Sequence, residues 1–258
     1  MLFLVRHGQR ADQATPEEKS KIQLKCDPHL TDLGKVQAKK AGERIVNLLH
    51  NYHDVSGKKP EDLKYLIISS PFRRCIQTAN HISHALAKEN IIGQKIYLND
   101  YLCDYLGDFH PESVLKDLQV RNSIEEVQKH IELDLQDGYP EIGNHAYNPM
   151  HPEEGETLRK RVFEGHIKGF KPYFINEINK EKDVVLILVS HGYVVECLLE
   201  LYEGYNKIGG SNHTNYTAVS QVEVDGENLT GKVLVDRCFK HLKDAEEEYH
   251  KSLLEKLE

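Results

Sequence analysis

Two histidines and a set of arginines stand where they can act together on an anion. Arg6-His7-Gly8 follows directly on the apolar run Leu2-Phe3-Leu4-Val5, and Ser190-His191-Gly192 follows Val184–Val189 in the same layout. Each run reads as a buried strand that delivers a titratable imidazole to the carboxyl edge of a sheet, where open α/β folds place their sites. A third segment, Ser70 to Ala79, continues from a strand ending at Ser69 and sets Arg73 and Arg74 where strand turns into helix. Unpaired N–H groups and a partial positive charge gather at a helix N-terminus, so arginine there extends a ready anion site. Arg6 and Arg10 add guanidinium groups with nothing obviously acidic to neutralise them. Planar, multi-donor guanidinium is suited to phosphate oxygens, so the chemistry these residues fit is that of a phosphate group. Taken singly, either histidine reads as well as a satisfied sheet-edge or core residue.

The elements that must position these groups follow from hydrophobic patterning. Strand-like runs occur at Leu2–Val5, Tyr65–Ser69, Lys95–Leu98, Val184–Val189, Ala218–Val224 and Lys232–Asp236. Helical spacing covers Thr31 to Leu49, with Thr31 as its cap, then Ile76 to Leu86, Thr157 to Ile178 and Tyr193 to Leu201. Strand–helix alternation predicts a three-layer α/β/α sandwich with a mostly parallel central sheet. Residues 100–156 break the pattern, being rich in Asp, Glu, Asn, His and Pro, and read as a polar cap or insertion over the site. Residues 240–258 form a charged helix pattern, read as a solvated terminal helix. No repeat or Gly/Ser linker divides the chain, so residues 1–258 are expected to form a single domain.

Composition narrows the function classes. Of 258 residues, 39% are hydrophobic and 29% charged, which supports a full core and argues against disorder. The net charge of −8 argues against a nucleic-acid partner, since phosphate backbones need a basic face. It leaves room for a small phosphorylated ligand held by a local cationic cluster. Five scattered cysteines without a C-x-x-C pair fit free thiols in a reducing compartment. No segment approaches a membrane span, and the expected setting is cytoplasmic, with oligomeric state left open.

Four blocks carry a resemblance to a known family. Arg6-His7-Gly8, the segment Leu30-Thr31-Asp32-Leu33-Gly34-Lys35-Val36-Gln37-Ala38, the segment Ser70 to Ala79, and Ser190-His191-Gly192 come in the order found in the histidine phosphatase superfamily, whose fold is called phosphoglycerate mutase-like. The start Arg6-His7-Gly8-Gln9-Arg10-Ala11-Asp12 is similar to phosphatases related to suppressors of T-cell receptor signalling and to ecdysteroid-phosphate phosphatases. The chain contains no Trp, unlike the typical mutase pattern.

The resemblance implies a phosphomonoesterase that works without metal or organic cofactor through a phosphohistidine on His7. Arg6, Arg74 and His191 would hold the phosphate oxygens, with His191 also part of the catalytic set. Arg10 is either a further phosphate ligand or a surface residue paired with Asp12. Aligning Leu102 to Gly107 with the family's acid segment makes Asp104 the general acid, one methylene shorter than the usual Glu, with Asp108 the competing candidate. The substrate would be a small phosphorylated molecule or a phosphoprotein. A phosphoglycerate mutase-type phosphotransferase and a weakly catalytic phospholigand-binding module are the alternatives. A cysteine phosphatase is excluded because no cysteine has Arg six positions later, and Asp100, Asp104 and Asp108 lack calcium-loop spacing.

Overall fold

The structure is a computed structural model that describes residues 1–22, 26–57, 59–91, 96–108, 151–166, 184–204, 214–225 and 230–255. Most of the cap expected over 100–156, and the latter part of the helix expected over Thr157 to Ile178, lie outside the described residues.

Runs of alternating buried side chains build a six-stranded sheet. In chain order its strands are β1 (Leu2–Arg6), β2 (Lys64–Ser69), β3 (Ile96–Leu98), β4 (Val184–Ser190), β5 (Val219–Val224) and β6 (Gly231–Cys238). Their spatial order is β3-β2-β4-β1-β5-β6. The first four are mutually parallel, whereas β5 and β6 run antiparallel to their neighbours. Side chains on a strand alternate faces, and here both faces are covered. Phe3, Val5, Ile67, Ile187 and Val189 face one apolar cluster, and Leu2, Leu4, Ile68, Leu186 and Leu188 face the other. The expected three-layer α/β/α architecture is the observed one.

The first cluster is completed by α2 (Asp32–Ser56) and α3 (Arg73–Lys88), which follow a short α1 (Pro16–Ser20). The second is completed by α4 (Gly155–Gly165) and α5 (Gly192–Leu199). Thr31 caps α2 by accepting from Gly34 N at 2.9 Å. That helix runs about two turns past the expected Leu49, where residues 50–54 bury no side chain and so leave no apolar signature; Gly57, at φ +72°, ends it. α3 starts at Arg73, ahead of the expected Ile76. Its first amide is satisfied from outside, by Asp27 Oδ1 at 2.8 Å.

The C-terminal helix α6 (His241–Leu254) corrects the expectation of a solvated tail. His241 and Ala245 are buried, and Glu248 pairs with Lys39 and Lys40 of α2, the latter at 2.8 Å. A charged sequence hid this packing because two small contact points and an ion pair replace an apolar stripe. Among the described residues, no helix is long and apolar enough to cross a membrane.

Candidate active site

Because β1 and β4 are adjacent and parallel, with Arg6 in register with Ser190, the residues that follow them emerge side by side. His7 N donates to Ser190 O at 2.9 Å, and the His7 and His191 rings lie 5.2 Å apart, edge to face. β2 ends at the same edge, with Ser69 opposite Val189, and releases the chain into Arg73 and Arg74. Three strand ends therefore bring together what the sequence holds nearly two hundred residues apart.

His7 is 2% exposed, and its Nδ1 lies 2.8 Å from Gly8 O. A carbonyl oxygen only accepts, so Nδ1 carries the proton and Nε2 the lone pair. Burial first, and then the charges of Arg74, His191 and Arg6, push the His7 pKa well below its usual value. The imidazole is neutral and in one tautomer, as a nucleophile must be. The Gly8 carbonyl supplies the orientation, a role no side chain in the sequence advertised.

Arg74 is fully buried beside it. Its Nη2 donates to Asp104 Oδ2 at 2.7 Å and lies 3.2 Å from His191 Nδ1, while Asp27 Oδ1 stands 3.6 Å from Nη1. Nε and Nη1 of Arg74, and Nε of Arg6, have no hydrogen-bond partner among the described residues. Buried N–H groups without acceptors are costly; Arg6 lines the pocket beside His7, whereas Arg74 does not line it and reaches it through Asp104 and His191, which do. The first turn of α3 contains no acidic residue, so two arginines also oppose the helix dipole there. An anion would relieve both costs.

Asp104 Oδ2 also sits 3.2 Å from His191 Nδ1. Burial works against ionisation of Asp104, but His191 and Arg74 outweigh it and hold the carboxyl well below the usual range. Burial, helped by Arg74 and opposed by Asp104, pushes His191 down to about 4. Ser70 Oγ, which accepts from Phe72 N, lies 2.9 Å from His191 Nε2. With Ser70 as donor, the single ring proton of His191 is on Nδ1, facing the carboxylate. Cys75 Sγ lies 3.4 Å from the same Nε2, but burial pushes its thiol up to about 12, so it stays protonated.

Arg6 completes the wall. Its Nη1 donates to Thr214 O, and its guanidinium lies 4.4 Å above the Tyr216 ring, itself 5.8 Å from His7. Glu196 Oε1 in turn accepts from Thr214 Oγ1 at 2.8 Å and from Thr214 N at 3.2 Å, fixing the carbonyl that Arg6 uses. Arg10 lines the pocket while donating to both Asp12 oxygens, from Nε at 2.6 Å, so it is at once paired and available to the site. The expectation that nothing acidic neutralises the arginines is thus corrected: Asp104 and Asp12 each take one. The pocket, about 230 Å³, is walled by Arg6, His7, Arg10, Asp104 and His191, with Tyr105 and Tyr193 at its mouth. Asp108 is exposed and does not line it.

The motif residues that do no chemistry hold the loops. Gly8 N donates to Thr78 Oγ1 at 3.1 Å, Gln9 N to Gln37 Oε1 at 2.9 Å, and Leu30 N to Gln77 Oε1 at 2.8 Å. Gly8 and Gly34 touch backbone to backbone: a Cβ on Gly34 would stand 2.4 Å from Gln9 O, and one on Gly8 2.5 Å from Gly34 O. The Asp104 loop is held by Arg161, which donates to the carbonyls of Tyr101, Cys103 and Asp104 at 2.8–3.0 Å and to both oxygens of Glu153. Both members of that pair are buried. Among the described residues, no group of three or more His, Cys, Asp and Glu has the makings of a metal site.

Comparison with known proteins bears on the fold and on residues 2–96. A family model, that of the histidine phosphatase superfamily (branch 1), matches residues 2–96. Those residues belong to the histidine phosphatase superfamily. Solved structures with a similar fold include Bacillus stearothermophilus YhfR (19% identity, 93% of this chain and 98% of that one, TM-score 0.52). Mycobacterial hydrolase 2 is another (16% identity, 95% of each chain, TM-score 0.51). The ecdysone phosphate phosphatase of Bombix mori, in complex with tungstate, matches at 18% identity over 92% of each chain, with a TM-score of 0.49. At such identities the likeness is one of fold. No curated protein sequence matches the chain. The histidine phosphatase match ends before Asp104 and His191; the sheet, not the match, brings them to its arginines and histidine. Reading the sequence missed Asp27, Glu153, Arg161, Glu196, Thr214 and Tyr216, which stand in irregular segments or beside no motif.

Proposed function

We propose that the protein is a phosphomonoesterase that passes the phosphoryl group through His7. The observation that carries this reading is the fixed tautomer of His7: a neutral imidazole with its lone pair on Nε2, in a pocket walled by the half-buried guanidinium groups of Arg6 and Arg10. The match of residues 2–96 to the histidine phosphatase superfamily (branch 1) supports it.

The substrate phosphate takes the N–H groups of Arg74 and Arg6 and the Nδ1–H of His191. Entering as a monoanion, it brings the proton that Asp104 needs once Arg74 is shared. His7 Nε2 attacks phosphorus in line; the P–N bond forms as the ester P–O bond breaks, and Asp104 gives its proton to the leaving oxygen. Water then attacks the phosphohistidine with Asp104 as base; the P–N bond breaks, and orthophosphate leaves as the monoanion, carrying that proton away and restoring ionised Asp104 and neutral His7.

Hydrolysis of p-nitrophenyl phosphate in EDTA, wild type beside His7→Ala, tests this reading. Turnover in the wild type, loss of at least about a thousandfold in the variant, and an acid-labile phosphoenzyme are expected. A folded wild type without turnover would end it and favour a binding module, or a mutase if a bisphosphate primer restored transfer.

A further inference from the structure

The pocket that suits a phosphate opens onto a second, larger space. A groove of about 960 Å³ runs between α4 and α5, and the two cavities share Tyr193 and Glu196. Tyr193 is 56% exposed, and its ring meets Tyr105 edge to face at 6.1 Å across the mouth of the pocket. A tyrosine so exposed contributes little to the core, and it directly follows the glycine after His191. Past it, Leu158, Phe163 and Cys197 give the groove an apolar floor. Its charged lining is Glu156, Glu164, Glu196 and Glu200 against Arg159 and Lys160.

These features define what can be attached to the phosphate. The phosphoryl group belongs at the His7 end of the first pocket, and the two cavities meet at Tyr193 and Glu196, so a large leaving group passes Tyr193. A ring lying there gains stacking and burial that an open-chain leaving group does not. The excess of glutamates repels a second acidic group on the leaving side. We infer that the groove between α4 and α5 is the leaving-group subsite, with Tyr193 as its specificity-determining residue, and that it selects bulky, ring-bearing phosphomonoesters whose leaving group is neutral or cationic. The inference rests on the phosphomonoesterase reading for its kinetics but not for its binding.

The test compares naphthyl, phenyl and 4-carboxyphenyl phosphates as substrates. Naphthyl phosphate should exceed phenyl phosphate in kcat/KM by about tenfold, in line with the burial and stacking of one further ring. The carboxylated substrate should fall about tenfold below phenyl phosphate. Tyr193→Ala should erase the naphthyl advantage and leave the orthophosphate inhibition constant within about twofold, whereas a structural role would weaken orthophosphate equally. Glu156→Lys with Glu164→Lys should narrow the penalty on the carboxylated substrate. Equal kcat/KM for the naphthyl and phenyl esters, or a Tyr193→Ala variant that keeps the difference, would overturn the subsite. Should the wild type turn over nothing, the phosphomonoesterase reading falls alone. Calorimetry then decides the subsite: naphthyl phosphate must bind about tenfold tighter than orthophosphate, and equal binding removes it.

Discussion

The Asp104 carboxylate and a substrate phosphate compete for one N–H of Arg74. At 2.7 Å from Nη2 and 3.2 Å from His191 Nδ1, the carboxylate already occupies the donors that a phosphate oxygen needs. Replacing it with a neutral isostere should therefore part binding from turnover. In Asp104→Asn, orthophosphate is expected to bind about tenfold more tightly, since a charge-assisted competitor is gone. Hydrolysis of alkyl phosphates should fall by about 10²–10⁴, while p-nitrophenyl phosphate, whose leaving group needs little protonation, slows far less. Isothermal titration and paired kinetics read both; weaker orthophosphate binding would show that Asp104 does not compete. His7, His191 and Arg74 could be placed at one sheet edge from the sequence because each follows a strand end, whereas Asp104 came only from alignment with the family's acid segment. Asp27 and Arg161 were not legible: they act on amides and carbonyls 46 to 60 residues away, and a buried ion pair such as Arg161–Glu153 leaves no periodic trace.

At the scale of elements, the site depends on two loops and a helix start being pressed together. The loop after β1 meets the first turn of α2 through Gly8 and Gly34, with Gln37 and Thr78 tying the same loop from two helices. Gly34→Ala would drive a methyl group to 2.4 Å from Gln9 O, which is backbone and cannot turn aside. A loss of about 1–3 kcal/mol in stability is expected, as for other overpacked positions. The catalytic loss should be larger than that implies, because the strain falls on the segment that carries the His7 carbonyl partner. Denaturant melts beside kcat/KM separate the two; unchanged kinetics in a destabilised variant would mean the loop is not what orients His7. Strand positions were readable from continuous apolar runs to within a residue or two, while helix ends were not, since residues 50–54 of α2 bury no side chain and α3 borrows its cap from another loop.

For the whole molecule, buried histidines set the response to acid. Burial is the leading cause that lowers His81, His191 and His241 to about 4, whereas in the unfolded chain each titrates near 6.5. Between those values the unfolded chain binds protons that the folded one refuses, so stability is intact above about pH 6.5 and falls as pH drops toward 4. At about 1.4 kcal/mol per pH unit, each histidine contributes at most about 3 kcal/mol to that loss. His7, lowered well below its usual value by burial, adds a loss of the same sign, while Asp100, raised by burial to about 6, has the opposite sign and offsets one of the histidines. The melting temperature should thus be level above neutrality and fall steeply below pH 6. A flat profile down to pH 4.5 would show these imidazoles to be far better hydrated than their burial implies.

The strand order carries a further consequence, for the growing chain. β4 lies between β1 and β2, so the strands that lead into His7 and Arg74 are not joined in one sheet until residues 184–190 have been made. Closing a sheet across so many residues costs loop entropy before any pairing rewards it, which makes for slow assembly. The segment that holds His7, Arg6, Arg10 and Arg74 therefore waits for its central strand. The pocket is assembled only when the strand that ends at Ser190 arrives and brings His191 behind it.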